Sequence, residues 1–290
     1  MLYRATHITT YRYSQPVSTS VNEARLTLRE FPGQKVRTSK LTVDPHPAAI
    51  STRVDYFGNI VKTLSIFEPH DKLTVTSTSV VEVLPRQEEL GLSPSWEETR
   101  EMLDTQADAE CLEAFEYACD SPFVARDAAL ASFARPSFTA GRPVVEAARE
   151  LTARIKKEFR YEPKATTIDT PLATVLEKRA GVCQDFAHLM IGSLRSLGLA
   201  ARYVSGYLRS GADYQGSEAS HAWVAVFVPG SGWAQFDPTN DVVPSDGHVI
   251  IGWGRDYGDV TPLKGITLGG GDETISVDVR VRPLVESPAS

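Results

Sequence analysis

The sequence is short of cysteine. Cys111, Cys119 and Cys183 are the three in 290 residues, an odd count that cannot build a disulfide framework and suits a reducing compartment. Long apolar runs are missing as well, none approaching the roughly 20 residues of a membrane-crossing helix. The opening "MLYRATHITTYRY" alternates apolar and polar residues, where a secretory signal would carry an uninterrupted apolar centre. A cytoplasmic location without a membrane partner is therefore expected. Basic runs are absent too: 30 Lys and Arg stand against 37 Asp and Glu, a net charge of −7, which argues against nucleic acid as a partner. A structural zinc site needs about four convergent Cys or His at close spacing, and the sequence has no such cluster, so no metal and no other cofactor is expected. Internal repeats and low-complexity segments are likewise missing.

What is present reads as an α+β chain. Hydrophobic residues make up 42% and charged residues 23%, ordinary globular proportions, and at about 150 residues per domain the length suits two. Residues 1–84 contain short strand patterns, "YRATHITTYRY", "RLTLRE", "SKLTVDP", "STRVDYFGNIVKTLSIF" with a Gly58-Asn59 turn, and "KLTVTSTSVVEVLP", which predict an N-terminal antiparallel β-sandwich. Residues 85–139 turn to Ala, Glu and Leu in "SWEETREMLD", "DAECLEAFEYAC" and "VARDAALASFA" and predict a helical connecting segment. A core domain is expected over 140–268, opened by a helix with Pro143 at its start and Val144, Ala148, Leu151 and Ile155 on one face. Over 269–290, "GGG" precedes "ETISVDVRVRPL", a strand expected to return to the sandwich, followed by "VESPAS" as a frayed tail.

The chemistry concentrates around "EKRAGVCQDFAHLM". Thr170-Pro171 starts one helix, and Gly181 stands where a helix end needs a left-handed residue. A second helix begins at Cys183, with Phe186, Met190, Leu194 and Leu197 on the stripe the cysteine shares. The thiol then points inward at a helix start, where the partial positive charge of the peptide dipoles favours thiolate. Taken alone, such a cysteine is more often a small buried hydrophobe. Downstream, "SHAWVAVFVPGSGWAQFDPTN" reads as a hairpin with His221 opening one strand and Asp237 closing the other. If paired residue numbers sum to about 458 or 460, imidazole and carboxylate become direct or diagonal neighbours on one face; an odd sum separates them. A strand histidine is commonly a satisfied polar residue, and an Asp before Pro a turn former. Together, however, Cys183, His221 and Asp237 supply a nucleophile, a base and a group to orient the base.

In their order and spacing, "RAGVCQDFAHLM", "ARYVSGYL", "SHAWVAVFVPGSGWAQFDPTN" and "GRDYGDVTPLKG" resemble the bacterial transglutaminase-like family, and the strand-rich first 84 residues resemble the β region that often precedes that core. The resemblance implies a papain-like arrangement, a helix bearing Cys183 packed on an antiparallel sheet bearing His221 and Asp237. It also implies attack on a carboxamide or peptide carbonyl through a thioester, with a peptide or protein as substrate. Hydrolysis, as in a protease or amidase, is favoured because water is abundant and no amine-pocket signature is evident. Amine transfer to protein glutamine is the alternative, and a non-catalytic binding module that keeps the fold is a second one. The developing oxyanion needs donors. The Cys183 backbone N–H is one candidate, Tyr161 another because some relatives place an aromatic donor ahead of the cysteine helix, and Gln184 competes with it. Trp223, on the His221 face, is a candidate wall of the acyl site. His188 lies off the Cys183 face, and Cys111 and Cys119 read as packing residues. Animal members depend on calcium, but "DPTNDVVPSD" lacks the glycine and terminal glutamate of an EF-hand loop and suits a turn. Arg255 and Asp256 are read as structural.

Overall fold

Residues 2 to 24 form one unbroken strand around which the first half of the molecule is built. The computed structural model describes residues 1–85, 93–211 and 214–284. Five strands open it: β1 (Leu2–Ala24), β2 (Gln34–Asp44), β3 (Ala49–Val54), β4 (Ile60–Ile66) and β5 (His70–Val83). They form a sheet in the order β2-β5-β1-β4-β3. β1 is long enough to serve two halves of that sheet. Tyr3 to Arg12 pair with β5, while Ser20 to Ala24 pair with β4, and the register shifts between Arg12 and Val17 where the strand bends. The sandwich is thus a single antiparallel sheet curled over itself. Tyr13, Val17, Leu26, Leu64, Ile66, Leu73 and Val75 are enclosed between its halves.

The segment "RLTLRE", predicted to be a strand, is irregular over residues 25–30. Leu26 and Leu28 are buried all the same. The backbone groups here find scattered partners instead of a ladder: Arg25 N–H donates to the Pro262 carbonyl at 2.8 Å, and the Leu26 carbonyl accepts from Ser77 Oγ at 2.8 Å. Helices α1 (Trp96–Asp104), α2 (Ala109–Phe115) and α3 (Ala128–Ala134) follow, the first held at its start by a reciprocal Ser95–Glu98 capping box that satisfies donors with no partner inside the helix. Part of the predicted connecting segment, 86–92, and the expected tail "VESPAS" lie outside the described residues.

Next come α4 (Val144–Glu158), β6 (Arg160–Tyr161), α5 (Leu172–Lys178), β7 (Ala180–Gly181) and α6 (Cys183–Arg195). The core sheet comprises β8 (Ala201–Leu208), β9 (His221–Val228), β10 (Gly232–Phe236) and β11 (His248–Gly254), ordered β10-β9-β8-β11 and antiparallel. Ala222, Val224 and Val226 of β9 share one apolar cluster with Phe186, Met190 and Leu194 of α6. The opposite face places Trp223 and Ala225 with Val204 and Ile250. The free edge of β11 is covered by two amides of the curled sheet. Gln34 accepts from Ile250 N–H at 2.8 Å and donates to its carbonyl at 2.7 Å, and Asn59 does the same to Trp253 at 3.1 and 2.9 Å. Each amide imitates a neighbouring strand and so blunts an edge that would otherwise be open to foreign pairing.

After the short helix α7 (Tyr257–Val260), the chain returns to β1 as β12 (Leu263–Gly269) and β13 (Glu273–Pro283). The return begins at Leu263, six residues ahead of the boundary drawn from the glycine run. Gly269, Gly270 and Gly271 all have φ between 61° and 100°, the left-handed region that glycine enters without steric cost. There the edge strand follows the bend of β1. Among the described residues no helix is long and apolar enough to cross a membrane.

Candidate active site

Cys183 is the first residue of α6, with extended Val182 before it as the N-cap. The preceding helix α5 ends on Arg179, whose φ of 50° and ψ of 40° make it the left-handed cap, the part the sequence assigned to Gly181. Gly181 serves a different need. It pairs with Tyr161 across β6 and β7, and a Cβ added to it would stand 2.6 Å from Asp185 Oδ2. That oxygen accepts from Val182 N–H at 2.8 Å and from Thr166 Oγ1 at 2.6 Å. The carboxylate, one turn inside α6, thereby ties the helix start to the segment before it. A helix N-terminus favours negative charge, and the sulfur stands at that end.

The hairpin register settles the parity question. Trp233 pairs with Phe227 and Phe236 with Val224, an even sum, so His221 and Asp237 lie diagonally on one face. His221 Nε2 and Asp237 Oδ2 are 2.9 Å apart, with both side chains fully enclosed. Asp237 Oδ1 accepts from the backbone N–H groups of Thr239 and Asn240 at 2.9 and 3.2 Å, and Oδ2 from Asn240 Nδ2 at 2.8 Å and His248 Nε2 at 3.3 Å. Burial opposes charge on this carboxylate, but His221 and then His248 outweigh it and hold its pKa well below the usual carboxylate range. Burial likewise disfavours the charged imidazole. The Asp237 charge and hydrogen bond overcome that cost, the Cys183 thiol adds to them, and the His221 pKa is lifted to about 10. With Nε2 committed to Asp237, Nδ1 has no hydrogen-bond partner among the described residues and is the nitrogen left for the thiol. The Cys183 residue is 9% exposed.

The cysteine helix, the His-Asp pair and the preceding β region all lie within stretches that match known families. Residues 131–238 match the family described as transglutaminase-like superfamily, and residues 3–82 the bacterial transglutaminase-like N-terminal region. An uncharacterized protein of Mycobacterium tuberculosis is 42% identical over 96% of this chain and 91% of its own length. The chain belongs to the transglutaminase-like superfamily. A crystal structure of a candidate cysteine protease from Cytophaga hutchinsonii superposes on all of this transglutaminase-like chain and on 92% of its own, with a TM-score of 0.77 at 23% identity, a likeness of fold. A protein-glutamine gamma-glutamyltransferase of Pseudomonas aeruginosa is 32% identical over 32% of this chain and 16% of its own length.

The remaining predicted positions of this transglutaminase-like site fall in different places. The Tyr161 ring meets Phe186 edge-on at 6.4 Å between centroids. Its hydroxyl and His221 Nδ1 lie within 3.6 Å of one point, the position a Cβ on Gly216 would take. Burial, with the Cys183 sulfur nearby, pushes the Tyr161 pKa up to about 12, so the hydroxyl keeps its proton. Gln184 is half-buried, next to Cys183 in the first turn of α6. Trp223 has no exposed surface. It donates from Nε1 to Gln235 Oε1 at 2.7 Å and lies stacked against the imidazole of His221 at 6.0 Å, so it is packed against the base, where the sequence suggested a wall of the acyl site.

His188 is buried, accepts from Tyr257 N–H at 3.1 Å and stacks on Phe123 at 5.9 Å. Arg255 pairs with Asp259 at 2.9 Å, while Asp256 caps α7 through Gly258 N–H at 2.8 Å and accepts from Phe123 N–H at 2.9 Å. Cys111 is buried within the helical segment, and Cys119 and Cys183 are also unpaired. Sequence reasoning missed His248, Asn240 and Gly216. His248 opens a strand just as His221 does, which is the one signal that could have flagged it.

Proposed function

We propose that this chain forms a thioester acyl-enzyme on Cys183 from a carboxamide or peptide carbonyl. Cys183 Sγ attacks the carbonyl carbon with its proton already resting on His221 Nδ1, and Asp237 steadies that imidazolium. The oxyanion is met by the Cys183 backbone N–H, which has no partner inside the helix, and by the Tyr161 hydroxyl, with Gln184 the competing donor. Each such donor supplies about 2.7–4 kcal/mol of transition-state stabilisation. His221 then gives its proton to the leaving amine, and water or a second amine releases the acyl group. The observation that carries this reading is the grip of Asp237 on His221 Nε2 at 2.9 Å, which turns the other ring nitrogen toward the thiol. The three unpaired cysteines favour a reducing, cytoplasmic setting for the reaction.

Hydrolysis needs no second substrate and is the first expectation. Transfer to a primary amine is favoured by one feature, the shelter of Cys183, His221 and Asp237, none of them more than 9% exposed, because a water-poor seat protects a thioester from hydrolysis. The test is incubation with a glutamine-containing peptide, with and without a primary amine, following ammonia release, amide exchange and the mass of the Cys183 adduct. An adduct that the Cys183→Ala variant cannot form supports the reading. No adduct, together with slow and equal iodoacetamide labelling of all three cysteines, would favour a binding module instead.

A further inference from the structure

We propose that His248 is a positioning residue for this site, a role that rests on the acyl-transfer reading. It stands on β11, outside the hairpin that carries His221 and Asp237. Its side chain is fully enclosed, and its Nε2 lies 3.3 Å from Asp237 Oδ2, the same oxygen that receives His221 Nε2. An ionised carboxylate can only accept hydrogen bonds, and this one is held ionised. The proton between them therefore belongs to His248, which must carry it on Nε2. The ring is set edge-on by Trp223 at 5.2 Å and by Tyr214 at 5.5 Å between centroids, so it has little freedom to aim elsewhere.

The consequence lies in how the carboxylate is saturated. Thr239, Asn240, His221 and His248 direct five donors at two oxygens, whereas a carboxylate offers about four acceptor sites. A carboxylate so well supplied stays a weak base and leaves the shuttled proton on His221. It is also fixed in rotation, so the His221 ring keeps Nδ1 toward the sulfur. Removing the His248 donor leaves Oδ2 with His221 and the Asn240 amide alone, which loosens that oxygen and makes it a stronger competitor for the proton.

The experiment compares wild-type protein with His248→Gln, which keeps a side-chain N–H donor, and His248→Leu, which does not. Iodoacetamide alkylation of Cys183 at neutral pH is read by mass spectrometry alongside thermal unfolding. The expected result is near-wild-type alkylation in His248→Gln and a rate lower by roughly 10- to 100-fold in His248→Leu, as for a lost hydrogen bond to a charged group. Equal loss in both variants, or no loss in either, overturns the proposal. Should His248→Leu fail to fold, ring nitrogen spectra of the wild-type protein decide: protons on Nε2 of both His221 and His248 are expected, and a His248 proton confined to Nδ1 overturns it. Failure of the acyl-transfer reading shows separately, as wild-type Cys183 reacting no faster than Cys111 and Cys119.

Discussion

At the scale of single residues, the site is governed by one buried charge. Asp237 lifts the His221 pKa to about 10 against a burial cost that by itself would lower it. Asp237→Asn keeps the shape but removes the charge, so the imidazole pKa should fall below its ordinary value near 6.5. An NMR titration of His221 in that variant checks the direction, and an unchanged midpoint would contradict the account. On the acyl-transfer reading, turnover should drop by on the order of 10⁴, the effect of such a change in a serine protease triad. These partners were legible in the sequence because period-2 alternation put them on one face. His248 was harder to read, because although only 11 residues from Asp237 it reaches it through the strand order β10-β9-β8-β11, which no local pattern encodes.

Elements set the precision with which the thiol is presented. The start of α6 is held by Asp185 reaching back to Val182 N–H and Thr166, and Gly181 leaves the room it needs. Gly181→Ala should push that carboxylate aside and lower stability by about 0.5–2 kcal/mol, the range for a lost cap. Cys183 alkylation should slow in the same variant. Urea unfolding and labelling measure the two effects, and a variant unchanged in both would show that the cap is dispensable. The sequence placed the helix correctly but misassigned this glycine, because a left-handed helix end and a close approach to a side chain both demand glycine. The backbone separates the two needs: Arg179 takes the left-handed conformation and Gly181 the crowded one. The pattern in β1 likewise announced a strand without announcing that it would bend and serve both halves of a single sheet.

For the whole molecule, titration of buried histidines shapes stability. His7, hydrogen-bonded to Tyr207 at 3.0 Å where the two sheets meet, and His188 both have pKa values lowered to about 4, chiefly by burial. Unfolding restores a value near 6.5, so between about pH 6.5 and 4 the unfolded chain binds more protons and stability falls as pH drops. His221 acts in the opposite sense. Its folded pKa of about 10 gives stability that is complete below about 6.5 and is lost as pH rises toward 10. Urea midpoints at about pH 5, 7 and 9 should therefore peak near neutrality, with fully realised histidine shifts worth on the order of 3–5 kcal/mol. A midpoint still rising at about pH 5 would refute this.

Deleting residues 273–290 should destabilise both sheets, because β13 flanks β1 and its Val279 N–H donates to the Glu218 carbonyl at 3.1 Å, on the segment that leads into His221. An unfolding transition unchanged by the deletion would show that brace to be idle. The same arrangement has a meaning in time. In a nascent chain one edge of β1 stays open until β12 and β13 have been made, so Cys183 emerges before the frame around it is closed.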